Sequence, residues 1–172
     1  MSLKGRTDNF VGNPPFSGNG KLHQKVFNIS VELSKKTVHF IQPATPIHSM
    51  SNVFTSSSNN EELDMIDNLK KYETDITITS PKIFPTVNIS TDLMITVLKK
   101  NITDNGVIEK IKYLNGKTYE NVSYESISRT QIEPKIFESI LKKYKKLIDK
   151  NGSLFEYRVL NGENTNAKVP RI

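Results

Sequence analysis

His23, His39 and His48 are the only side chains in this sequence whose ordinary pKa lies near neutrality, and all stand in its first third. No two of them have the spacing with which a helix presents a histidine pair to zinc. Cysteine is absent, which removes disulfides, thiolate metal sites and a thiol nucleophile. There is no Gly-x-Ser-x-Gly elbow, no glycine-rich phosphate loop and no His-Glu-x-x-His segment. Glu61 and Glu62 stand at the start of a helical pattern, where the helix dipole accounts for them. Arg129 and Glu133 read as an ion pair beside a second helix start. The sequence therefore assigns no catalytic residue, no cofactor-binding residue and no metal ligand, and the expectation is a non-enzymatic protein.

Charge offers a different kind of chemistry. The chain carries a formal net charge of +6 over 172 residues. The basic excess sits in residues 1–60 and 131–172, and the stretch between them is slightly acidic. Such ends suit contact with an acidic neighbour, nucleic acid or protein. The densest basic stretch is "KIFESILKKYKKLIDKNG", from Lys135 to Gly152. Pro134 suits a first helical turn and Gly152 the residue past the end. Ile136, Phe137, Ile140, Leu141, Tyr144, Leu147 and Ile148 recur at helical spacing, an apolar stripe expected to be buried against a sheet. Lys142, Lys143, Lys145 and Lys146 fill the remaining arc, as a solvated face or as a grip for phosphates.

These residues must be positioned by a modest core, since only 35% of residues are hydrophobic. Residues 1–24, rich in glycine, proline and asparagine, read as an extended arm with Phe10, Val11 and Phe16 as apolar anchors. Phe27, Ile29, Val31 and Leu33 alternate with polar residues, which predicts a β-hairpin over 25–42. Residues 43–59 read as a linker or strap. A compact core is expected over 60–160, followed by a polar tail over 161–172. Within the core, "NNEELDMIDNLKKYE" reads as a helix with acids first and lysines last, and "DITITS" as a strand. Leu93 to Leu98 read as a central strand covered on both faces, with a helix over Thr91–Lys100 as the competing pattern. Asn115-Gly116 predicts a hairpin with a type I′ turn, and "SLFEYRVL" predicts a last strand. The expected fold class is α+β, with a small, mostly antiparallel sheet, two helices, a preceding hairpin and a long N-terminal arm.

A small core with partly apolar extensions suits a subunit whose neighbours cover what it leaves exposed. The sequence therefore points to a structural or assembly subunit of a larger complex, by its composition a virion component. Phe10, Val11, Phe16, Phe27, Ile29 and Val31 are its expected contacts with other subunits, copies of itself or different chains. The alternative is a nucleic-acid-binding or ribosome-associated protein that uses Lys142, Lys143, Lys145 and Lys146. No apolar leader and no stretch of about 18 apolar residues occurs, so synthesis in the cytoplasm without a membrane span is expected.

Overall fold

In the computed structural model, which describes residues 7–14, 22–48, 60–85, 91–127 and 131–151, the segment Leu22–Leu33 is a helix, α1, and not the first strand of a hairpin. The alternation of Phe27, Ile29, Val31 and Leu33 overlies a second pattern. His23, Gln24, Phe27, Ser30 and Val31 recur at the three- and four-residue steps of one helical face, and these are the buried residues of α1. Phe27 is 0% exposed while Ile29 points outward. The Ser30 hydroxyl donates to the Val26 carbonyl at 2.7 Å, the local bond that a helix leaves open to serine. Helical spacing puts Phe27 and Val31 together on the core, and that burial outweighs the strand preference of the β-branched residues.

Strand β1 (Thr7–Gly12) precedes α1, and β2 (Ser34–Pro43) follows it. The two strands pair in parallel, with Phe10 opposite Val38 and Gly12 opposite Phe40. Residues 7–43 thus contain a parallel crossover unit. The stretch expected as an extended arm holds a strand of the sheet, and residues 25–42 are a helix and a strand. Gly12 is required by close approach, because a Cβ there would stand 2.5 Å from the Phe40 ring.

The four-residue helix α2 (Thr45–His48) lies within the expected strap; residues 49–59 lie outside the described residues. Helix α3 (Asn60–Lys71) has Glu61 and Glu62 in its first turn and Lys70 and Lys71 in its last, as its sequence predicts, and it buries Met65, Ile66 and Leu69. Four strands follow: β3 (Tyr72–Thr79), β4 (Leu93–Ile102), β5 (Val107–Lys112) and β6 (Thr118–Ser123). The sheet order is β1-β2-β4-β3-β5-β6. β4 runs antiparallel to β2 and β3, and β5 antiparallel to β6, while β3 and β5 are parallel. The fold is α+β with a six-stranded mixed sheet. It has three longer helices, one more than expected, because α1 replaces a hairpin strand.

Residues 91–100 resolve in favour of the strand, and β4 is central in the sheet. It is covered on one face only, since Ile95 on the other face is 39% exposed. The Asn-Gly hairpin forms between β5 and β6, but of the pair only Gly116 has a positive φ, +82°. The loop therefore spans residues 113–117 in place of the two-residue type I′ turn. The Lys117 amide donates to the Asn115 side chain at 2.9 Å.

Phe27 and Val31 of α1, with Met65 and Leu69 of α3, pack on Val38, Phe40, Ile76, Ile78, Met94, Leu98 and Ile111. Residues 22–48 and 60–127 thus share one core, so the boundaries expected near 42 and 60 do not separate two bodies. Helix α4 (Pro134–Asn151) begins at its proline as predicted. It packs beside β6 and the short turn Tyr124–Ser126 and leaves Ile136 at 53% and Ile140 at 44% exposure. Of the stripe expected to be buried against the sheet, Phe137 and Leu141 are half-buried, and the side chains of Tyr144, Leu147 and Ile148 lie outside the described ones. The expected strand "SLFEYRVL" lies outside the described residues.

Candidate functional site at the carboxyl end of β1

The six residues expected to contact other subunits fall into four groups. Phe27 and Val31 are buried in the chain's own core and are unavailable to a partner. Phe10 is half-buried, its ring tilted toward Phe40 at 6.4 Å between centroids. Val11, 81% exposed, and Ile29 remain open to contact. Phe16 lies outside the described residues. The separation follows from secondary structure. The helix turns Phe27 and Val31 inward, and the strand turns Phe10 toward the helices and Val11 away from them.

β1 stands at one border of the sheet. Among the described residues, nothing pairs with its outer side. Its inner neighbour is parallel, an arrangement that ordinarily occurs inside sheets covered on both faces. At its carboxyl end the chain passes through Asn13, which is exposed, and Pro14, which is buried. In sequence these open the run Asn13-Pro14-Pro15-Phe16. Pro14 lacks a backbone donor and fixes its own φ, directly after the exposed side chain of Asn13.

Near the carboxyl end of β1, where Gly12 stands opposite Phe40, lie several buried polar groups. The rings of Phe27 and Phe40 meet edge-on at 5.5 Å between centroids. Gln24 stands one helical turn before Phe27, and Gln42 stands two residues beyond Phe40 on the same face of β2. Because α1 runs back against β2, both glutamines rise to the same level above the ring pair. Among the described residues, neither Gln24 Oε1, nor His23 Nε2, nor either amide atom of Gln42 has a hydrogen-bond partner, and the Thr96 hydroxyl on β4 is in the same state. All four residues are buried. Buried polar groups of this kind ordinarily take a partner from protein or ordered water. Burial also holds the His23 imidazole below the usual histidine pKa, against the opposing pull of the Glu62 carboxylate.

Sequence reasoning passed over Asn13, Gln24 and Gln42. A signal for the first was present in the short strand-like run from Thr7 to Gly12 that stands directly before it. The two glutamines carried no signal, because only the pairing of α1 with β2 brings them level.

The candidate phosphate-gripping lysines are positioned in part as expected. Lys142 and Lys143 are exposed on α4, and Lys142 is paired with Glu138 at 2.7 Å. The side chains of Lys145 and Lys146 lie outside the description. Among the described residues, no three His, Asp or Glu side chains gather as a metal-ligating group, and no helix is long and apolar enough to cross a membrane.

Comparison with known proteins adds little. No protein-family model matches the chain, and no curated protein does. Among solved structures, a chain described as a type I restriction-enzyme modification subunit, from Vibrio vulnificus YJ016, aligns with a TM-score of 0.46 and 12% identity over 85% of this chain. The match spans 32% of that protein's length.

Proposed function

We propose that this chain is a subunit of a larger α/β assembly whose sheet continues past β1, and that the turn at Asn13 forms a ligand site at the seam. The observation that carries the reading is β1 itself: a parallel strand at the border of a sheet, with its outer backbone row unpaired among the described residues. Such a row is a template for strand addition. This reading keeps the proposal of an assembly subunit and puts a sheet edge in the place of a free arm and a hairpin.

Where strands leave a common seam in opposite directions, the crevice outside their carboxyl ends receives ligands. Asn13 stands at that crevice, with Gln24, Gln42 and His23 below it. For the ligand we favour nucleic acid. An exposed amide can pair with two atoms of a base edge, as asparagine does with adenine. The chain's formal net charge of +6 favours phosphates.

Two measurements on the native assembly, purified through a tag on this chain, test the reading. Backbone hydrogen exchange at Thr7–Gly12 should slow in the assembly relative to the isolated chain. A chain recovered only as a monomer, or β1 amides exchanging equally in both forms, overturns the sheet continuation. Binding of a fluorescent oligonucleotide should weaken steeply between 50 and 200 mM salt, on the order of tenfold or more, and fall a further tenfold or so in Asn13→Ala. A flat salt dependence removes nucleic acid as the ligand.

A further inference from the structure

The sheet has two faces, and the described helices that cross it lie on only one of them. Helices α1 and α3 cover the face that carries Phe40, Leu98 and Ile76. The opposite face can be read from the register. One row runs Val11, His39, Val97, Asp75 and Lys110 across β1, β2, β4, β3 and β5, and the next runs Ile41, Ile95, Thr77 and Lys112 from β2 onward. Both rows change character midway. Their β1, β2 and β4 portion is apolar apart from His39, with Val11 and Ile95 exposed and Ile41 and Val97 half-buried. Their β3 and β5 portion is polar and charged, and a third row, Asn9, Thr37, Lys99 and Glu73, is polar on every strand and bounds the apolar patch on β1, β2 and β4. The apolar half is the half next to the open edge of β1.

We infer that this apolar half-face is covered by an amphipathic helix of the same partner that extends the sheet at β1, and that the partner's strands are wound away from β1. The inference rests on the reading of β1 as a seam. Parallel strands are stable when both faces are covered, and the patch runs continuously into the seam, so one partner supplies both contacts. Handedness then sets the winding. A right-handed crossover that progresses from β1 to β2 puts α1 on the first face. A right-handed crossover that progresses the other way, outward from β1, puts its helix on the opposite face.

A second copy of this chain does not fit. Two copies joined through antiparallel β1 strands would be related by an axis perpendicular to the sheet. That operation lays both sets of α1 and α3 on one common face and leaves the other bare across the whole extended sheet. The occupant is therefore a different polypeptide with its own crossover helix. Such a helix, about 10 Å across, spans roughly two strand spacings. It reaches Val11, Ile41, Ile95 and Val97 and stops short of Lys112 on β5.

Hydroxyl-radical footprinting of the native assembly against the isolated chain reads side chains directly. Oxidation of Val11, Ile41 and Ile95 should fall at least fivefold in the assembly, while Tyr119 of β6 keeps its rate. Slowed β1 amide exchange together with unchanged oxidation of Val11 and Ile95 overturns the helix cover and leaves the sheet continuation standing. Fast exchange in β1 overturns both. A particle containing only this chain overturns the inference as well, because the occupant would then be a copy. As a second readout, Val11→Asp, at an edge-strand side chain 81% exposed in the isolated chain, should weaken the assembly at least tenfold without lowering the midpoint of unfolding of the isolated chain, and Lys112→Glu should leave the assembly unchanged. Equal effects of the two substitutions would show that the contact is not confined to the apolar half, and would sink the inference.

Discussion

The two borders of the sheet are built on opposite principles. β6, at one border, is the second strand of a tight hairpin, and it is interrupted in its middle by Asn121, whose φ is +52°. Glu120, Asn121 and Ser123 are exposed along it, and the start of α4, with Glu133, Lys135 and Glu138, lies alongside. A left-handed residue and charged neighbours are devices that keep other strands from adding to an edge. β1, at the other border, has an irregularity only near its start, between Thr7 and Asn9, and runs in clean register from Asn9 to Gly12. It presents Val11 to solvent, and its single cross-strand ion pair, Lys36 with Asp8 at 2.8 Å, lies on the side already paired. One edge is guarded and the other is not. The difference is what the proposed seam at β1 rests on.

That contrast can be broken by substitution. The largest effect is expected beneath β1. Phe27→Ala should destabilise the isolated chain by about 3–5 kcal/mol, whereas Ile29→Ala, two positions away, should cost about 0.5 kcal/mol or less. Equal effects in a denaturant titration would mean that α1 does not pack as described. Next comes Gly12→Ala, where the new methyl meets the Phe40 ring and should cost about 1–3 kcal/mol. Gly116→Ala, in the loop behind the guarded edge, finds open space around its Cβ. It pays only for the left-handed backbone, roughly 1 kcal/mol. If Gly116→Ala proved the more damaging, β1 would not be docked on β2 as described.

A smaller effect is expected from pH. The folded pKa of His23 is depressed by burial, so the unfolded chain takes up its proton first as the solution is acidified. The stability tied to this group is complete above the unfolded value of about 6.5 and drains away below it, toward the folded pKa. Unfolding free energies measured from pH 7.5 to 5 should fall, and His23→Gln should flatten the fall. An identical slope in the variant would mean that other groups carry the pH dependence. The smallest effect is reserved for the guarded edge. Asn121→Gly should raise stability by about 0.5 kcal/mol by relieving the left-handed backbone. No gain in the unfolding midpoint would show that asparagine is already at ease there.

What the sequence makes legible follows local physics. The helices at Asn60–Lys71 and Pro134–Asn151 were marked by charge order and by proline at the start, and the β5–β6 hairpin by Asn-Gly, because caps, dipoles and turns act within a few residues. Leu22–Leu33 was misread for the complementary reason. Its residues satisfy both periods, and the choice between them belongs to what packs on top. The candidate site was legible in one part only. Asn-Pro-Pro-Phe was visible after a strand-like run, but nothing in the linear order put Gln24 beside Gln42.

By itself, then, the sequence determined that the chain is α+β, basic and free of cysteine chemistry, with two helices and a hairpin at known places. Tertiary structure alone decided that β1 joins the same sheet as β4, in parallel with β2, that Phe27 and Val31 belong to the core and not to a partner, and that one edge and one half-face are left open. The reason is range. Turns and caps are settled by neighbours along the chain, whereas strand order, burial and the guarding of edges depend on residues brought together from far apart in sequence.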